Sequence, residues 1–252
     1  MRTIIQKIIN FFDDDILYYS ASLSFFTIFS FLPILALLIV IISSISISDI
    51  NISLFITYVL SIINPIHSGT LEATLSEFLS NTNKLGFIGI VYFLIIFTLF
   101  FNNYEYIVNK IYNTKKRPIY KMFVLYICFL IFMPILFIFF IFISSFAKGN
   151  ISMEIITFLF TWSLFSVVFQ VSVTALVSFR ISVIGSFITL LVLVITKKLF
   201  TFYIIYNTAY ITIYGSFSII LFFFLWIYIS WTIFLYGMKL TYIINSKYNK
   251  VT

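Results

Sequence analysis

Charge is what this sequence has least of. Asp, Glu, Lys and Arg make up 9% of its 252 residues, where a soluble domain carries about a quarter. So few charges cannot cover a water-facing surface, which excludes an ordinary soluble globular domain. Cysteine is almost absent: Cys128 stands alone in an apolar run, so there is no disulfide framework, and the thiol reads as structural. Histidine is equally scarce. His67 has no Cys or His neighbour, which excludes a zinc motif of the usual spacing. The acids are Asp13, Asp14, Asp15, Asp49, Glu72, Glu77, Glu105 and Glu154, and only the first three cluster. Metal-dependent phosphodiester cleavage needs gathered carboxylates or histidines. Glycine-rich phosphate loops and nucleophile elbows are also missing. The expectation is a protein that is not an enzyme and takes no metal or cofactor.

What the chain has in abundance is apolar length. Hydrophobic residues make up 62% of it, and its mean hydropathy is +1.16. A helix crosses a hydrocarbon core of about 30 Å with about 20 apolar residues. Six runs qualify, at about 21–43, 85–101, 122–146, 155–177, 181–202 and 216–237. They are apolar on every face, whereas membrane barrel strands alternate. In lipid the main chain must satisfy itself, and for such runs the helix does so. The expected fold is an all-α membrane protein, a six-transmembrane-helix bundle forming one domain over 1–252.

The net charge of +7 lies mainly between these runs, so it reads as topology rather than as a nucleic-acid site. With the N-terminus inside, the inner set is Arg2, Lys7, Lys110, Lys115, Lys116, Arg117, Lys121, Arg180, Lys239, Lys247 and Lys250. The outer set is Lys84, Lys148, Lys197 and Lys198. Eleven against four favours both termini in the cytoplasm of a bacterium. The segment 112–118, with Lys115, Lys116 and Arg117, is the strongest inner marker. Basic Arg2 and Lys7 lead into Asp13, Asp14 and Asp15 rather than into the apolar core of a signal peptide, so the first run is expected to be retained.

The outer connections are not featureless. In 66–80, Leu71, Leu75, Phe78 and Leu79 fall on one helical stripe, with Glu77 opposite and Glu72 at its edge. This predicts an amphipathic periplasmic helix on the membrane surface or the bundle mouth. The apolar stretches 51–64 and 203–214 read as interfacial or re-entrant. Asp49, Asn51 and Ser53 match the extended acceptor pattern of bacterial N-glycosylation, which makes Asn51 a candidate modification site.

These residues carry a family resemblance. Ala21-Ser22-Leu23-Ser24-Phe25-Phe26 with Phe29 to Pro33 resembles the first-span signature of the YihY/BrkB family of inner-membrane proteins. Asn109 to Tyr112 with the basic loop is similar to that family's middle. Arg180, Gly185, Lys197, Lys198, Phe200 and Tyr203 resemble its fifth span. Tyr210, Ile213-Tyr214-Gly215, Trp226, Tyr228 and Gly237 resemble its last segment. The ordered match covers about 10–240. It implies six inner-membrane spans, a virulence or serum-resistance label, an older label as the transfer-RNA nuclease ribonuclease BN, and a link to envelope-lipid export. One departure stands out. The family ends its last span with Gly, a small residue and Glu, while this chain has Gly237-Met238-Lys239. Any role for that carboxylate is in doubt here.

The candidate substrate path is Arg180, Lys197, Lys198, Tyr203, Tyr214 and Gly215. Lys197 lies 16 residues past the expected start of the fifth run at 181, about 24 Å at about 1.5 Å per residue. Lysine at that outer level either snorkels to headgroups or faces a polar cavity that marks a substrate path. A cationic cavity would suit a phosphate-bearing lipid. Arg180 is either a positive-inside anchor or the inner end of that path. Asp13, Asp14 and Asp15 read as helix-start acids, in reach of Lys110 to Lys121, or as a ligand site. Pro33 and Pro134 are candidate kinks. Asn102 and Asn103 are placed to bond across helices. Trp226, Tyr228 and Trp231 read as packing. Three functions remain open on the sequence: movement or assisted export of an anionic envelope lipid, with membrane lipids as the partners and no nucleic acid; a structural or scaffolding envelope protein; and a membrane-bound hydrolase or nuclease.

Overall fold

A computed structural model describes residues 14–44, 86–146, 149–206 and 217–248. Among them every regular element is an α-helix: α1 Asp14–Ser44, α2 Gly86–Ile111, α3 Ile119–Ser144, α4 Asn150–Val171, α5 Phe179–Tyr206 and α6 Phe217–Tyr248. Each helix occupies one of the six apolar runs. By length and composition, four of the described helical segments can cross a membrane: Ile119–Ser144, Ser152–Val171, Phe179–Tyr206 and Leu221–Tyr248. The segments 51–64 and 66–80, with Asn51, lie outside the described residues, as do Tyr214 and Gly215.

The helices hold hydroxyl residues without breaking, because each side chain bonds back to its own main chain. Ser20 donates to the Ile16 carbonyl at 2.7 Å, Ser24 to Ser20 at 2.6 Å and Thr27 to Leu23 at 2.7 Å. The hydroxyl is thereby satisfied without water. Neither Pro33 nor Pro134 ends its helix; Pro134 is buried on the inner face of α3.

Neighbouring helices run in alternating directions, and α1 packs against α2 and α6 while α5 packs against α4 and α6. The core between them is aromatic. Phe101 of α2 stacks on Tyr126 of α3 at 4.1 Å, Tyr104 of α2 meets Trp231 of α6 at 5.9 Å, and Phe169 of α4 meets Phe234 of α6 at 5.2 Å. Offset and edge-on rings of this kind fill space and add to simple burial. Trp231 also donates its indole N–H to Thr27 Oγ1 of α1 at 2.8 Å.

Helices α5 and α6 approach more closely still, through a reciprocal pair of small residues. A Cβ on Gly185 would fall on the Thr241 side chain, and one on Gly237 would fall on Thr189. Thr189 and Thr241 each turn their hydroxyl back to the carbonyl of the glycine on their own helix. Gly-x-x-x-Thr thus faces Gly-x-x-x-Thr in antiparallel register. Membrane helices pack through small residues because lipid supplies no hydrophobic drive between them.

The start of α1, the end of α2, both short links 112–118 and 172–178, and the end of α6 meet at one end of the bundle. This basic end carries the candidate site.

Candidate functional site

Helix α2 does not stop where its apolar run stops. It continues through Asn102, Asn103, Glu105 and Asn109 to Ile111, and these polar residues become its inner face. Asn103 crosses to Ser22 of α1 at 3.0 Å, an interhelical bond of the expected kind. Glu105 is fully buried. Burying a carboxylate is tolerable only with a countercharge and hydrogen bonds, and Glu105 has both. Arg117 Nη1 sits 2.8 Å from Oε1, Asn109 Nδ2 donates to the same oxygen at 3.2 Å, and the Tyr126 hydroxyl donates to Oε2 at 2.6 Å.

Arg117 uses its remaining donors on main chain. Its guanidinium bonds the carbonyls of Val171 at 2.8 Å, Ser172 at 3.2 Å and Val173 at 2.8 Å. Carbonyls at a helix C-terminus have no partner within the helix, so Arg117 caps α4 from another part of the chain. This explains a difference from the sequence expectation. The fourth run was read to 177, yet α4 ends at Val171. The residues beyond stay apolar, but other helices take up their main chain. Asn109 Oδ1 accepts from Thr174 N and Oγ1. Asn245 of α6 donates to the Leu176 carbonyl and accepts from Ser178 N.

The same hub shapes the 112–118 link. Asn113 adopts φ +53°, Asn113 N bonds Lys110 O at 3.1 Å, and Thr114 N bonds Asn109 O at 2.9 Å. That pair is a Schellman closure with asparagine at the left-handed position. Beyond it Arg117 turns inward while Lys115 and Lys116 stay exposed. With Tyr106, Lys110, Asn113 and Thr114 they line an open cleft of about 550 Å³, which has no carboxylate in its lining. Lys116 Nζ donates to Asn102 Oδ1 at 2.9 Å. Lys110 lies over the rings of Tyr19 at 5.1 Å and Tyr106 at 5.9 Å. The Tyr19 hydroxyl beside it, with the nearby Asp15 charge, raises the Lys110 pKa above the ordinary lysine value. A second cavity of about 310 Å³ shares Lys110 and Asn113 and adds Asp15, Tyr19, Lys239 and Tyr242. Chemically, this end offers point cations and hydroxyl or amide groups suited to a phosphate with a polar headgroup.

The sequence-predicted path is not gathered in one place. Arg180 is exposed at the basic end. Lys197 is half-buried, whereas Lys198 and Tyr203 are exposed far along α5. Neither lysine lines the two cavities described above. Near them, Phe200 and Ile204 pack on Phe222 and Trp226, so Trp226 serves as packing. Asp15 and Lys110 line the second cavity together. Cys128 is exposed on α3. Among the described residues no three of His, Cys, Asp and Glu come together to hold a metal. Sequence reasoning missed Glu105, Asn109 and the inward turn of Arg117. Their signal was an acid and an asparagine four apart beyond a membrane run, followed closely by arginine.

The sequence profile of the family described as virulence factor BrkB matches residues 8–252, nearly the whole chain. The chain belongs to this family. Within it, a UPF0761 membrane protein of Pseudoalteromonas atlantica is 26% identical over 195 residues, covering 72% of this chain and 65% of that protein. One of Haemophilus influenzae is 28% identical over 178 residues, 66% of each chain. Another, of Mannheimia succiniciproducens, is 23% identical over 202 residues, 75% of this chain and 70% of the relative. The matched region thus spans about two thirds of the first of these relatives. No solved structure matches. The BrkB-family chain is a membrane protein with long apolar helices, and its Lys239 lines the second cavity with Asp15.

Proposed function

We propose that this BrkB-family chain is a six-span bundle of the bacterial inner membrane, with both termini cytoplasmic, that moves or helps to export an anionic envelope lipid. The observation that carries this reading is the lysine-lined cleft at the basic end. It places Lys110, Lys115 and Lys116 together on a bundle whose outer face is apolar. The six-span count is supported by α1 and α2, with 31 and 26 residues, each longer than the ~20 residues a crossing needs. Orientation is supported by the collection of Lys110, Lys115, Lys116, Arg117, Lys121, Arg180, Lys239 and Lys247 at one end, against Lys197 and Lys198 along α5. Lys197 and Lys198 remain in this reading as the outer end of the route. An enzymatic role has less support, since the buried carboxylate of Glu105 has both oxygens bonded.

The alternative is a scaffolding membrane protein of the envelope. It is favoured by the same saturated hub, which ties α2, α3 and the end of α4 together and, among the described residues, leaves no free buried acid to couple ions to movement. Lipid analysis resolved by leaflet, in a deletion strain, separates the two. The transport reading expects an anionic lipid to accumulate in the inner leaflet on deletion and to redistribute on complementation, but not with Lys197→Ala/Lys198→Ala at normal membrane levels. An unchanged leaflet distribution on deletion rejects transport.

A further inference from the structure

We infer that the cleft between α2 and the 112–118 link binds the phosphate of an anionic glycerophospholipid drawn sideways from the bilayer. This rests on the reading above for its biological purpose but not for its chemistry. Three lysines, Lys110, Lys115 and Lys116, line the cleft without a carboxylate. Glu105 is buried and engaged by Arg117, and Asp15 faces Lys110 from the adjoining cavity, which leaves the charges of Lys115 and Lys116 to dominate the cleft. A lysine near a membrane surface attracts an anionic lipid appreciably, and three together act in concert.

What selects a lipid over a free anion is the surface beneath the cleft. Tyr92, Ile95, Leu99, Tyr106 and Lys110 of α2 are all exposed. Their spacings of three, four, seven and four put them on one helical stripe. An acyl chain lying along that stripe brings its phosphate to Lys110. Tyr18, Tyr106 and Tyr120 are exposed at the same level, as aromatic residues are where hydrocarbon gives way to headgroups. The second cavity continues the site past Lys110 and Asn113. Asp15 accepts a hydrogen bond from Tyr19 at 3.5 Å, and Asn113 donates to Tyr242 at 3.1 Å. Asp15 and Asn113 thus set a carboxylate and an amide in the cavity that adjoins the cleft.

The test is native mass spectrometry of the full chain released from nanodiscs holding equal amounts of chain-matched phosphatidylglycerol and phosphatidylcholine. The parent is expected to retain phosphatidylglycerol over phosphatidylcholine by about tenfold. The triple variant Lys110→Gln/Lys115→Gln/Lys116→Gln should lose that preference. Lys121→Gln, at the same end but outside both cavities, and Lys197→Gln/Lys198→Gln should keep it. Equal preference in the parent and the triple variant, with both melting alike, overturns the proposal. Displacement of the lipid by inorganic phosphate overturns the lipid assignment in favour of a free anion. A selective parent whose deletion leaves the leaflets unchanged upholds this site and removes only the transport reading.

Discussion

Replacing Arg117 with alanine strips the hub of its cation and α4 of its cap in one step. Four bonds go, to Glu105 Oε1 and to the carbonyls of Val171, Ser172 and Val173, three of them 2.8 Å long. Glu105, with 1% of its side chain exposed, is left charged among Tyr104, Tyr126 and Asn109. Breaking a buried pair by removing one partner costs about 3–5 kcal/mol. The lost carbonyl bonds overlap with that figure, because contacts within one network do not add. At about 2–4 °C per kcal/mol for a chain of this size, melting should fall by about 6–20 °C. Arg117→Lys keeps the charge but not the fork that spans carboxylate and carbonyls, so it should fall between parent and alanine. Glu105→Ala/Arg117→Ala should cost less than the two singles together, since no charge is stranded. Thermal unfolding of the full chain in one fixed detergent reads all four. An Arg117→Ala protein that melts within about 2 °C of the parent refutes the reasoning.

Other consequences are checked as simply. Gly185→Ala should destabilise by about 1–3 kcal/mol through its clash with Thr241, and adding Thr241→Ala should recover part of the loss in the same melt. Trp231→Phe removes the bond to Thr27 and should cost about 0.6 kcal/mol, a barely resolved shift. A nitroxide on Cys128, exposed on α3 nine residues from its start at Ile119, should relax faster with oxygen than with a water-soluble nickel complex in bilayers. The reverse order would place that face of α3 in water.

The helices were legible because composition alone forces them: runs such as 122–146 have no polar face to offer water. Their ends were not. Hydropathy stopped the second run at 101, whereas α2 reaches Ile111 because Glu105 and Asn109 find partners on α3, on Arg117 and on the 172–178 link. Hydropathy carried the fourth run to 177, whereas Arg117 and Asn109 let the chain leave the helix at Val171. Both errors have one cause. A polar residue's tolerance inside a bundle depends on partners distant in sequence, and Arg117 meets Val173 across a separation of 56 residues. The basic loop reads in the sequence as a topology signal, but its division into one inward arginine and two outward lysines depends on the Schellman turn at Asn113. Lys197 and Lys198 stand out in the sequence by their depth along the fifth run and by the family resemblance there. Depth does not fix direction, and the two turned out to differ in burial.

The most direct test of the account is the rate at which fluorescent phosphatidylglycerol crosses the membrane of proteoliposomes holding the purified chain, read by dithionite quenching of the outer leaflet. The account predicts crossing faster than in protein-free vesicles, and a return towards that background with Lys110→Gln/Lys115→Gln/Lys116→Gln at equal reconstitution. A parent no faster than protein-free vesicles, or a triple variant as fast as the parent, would contradict it.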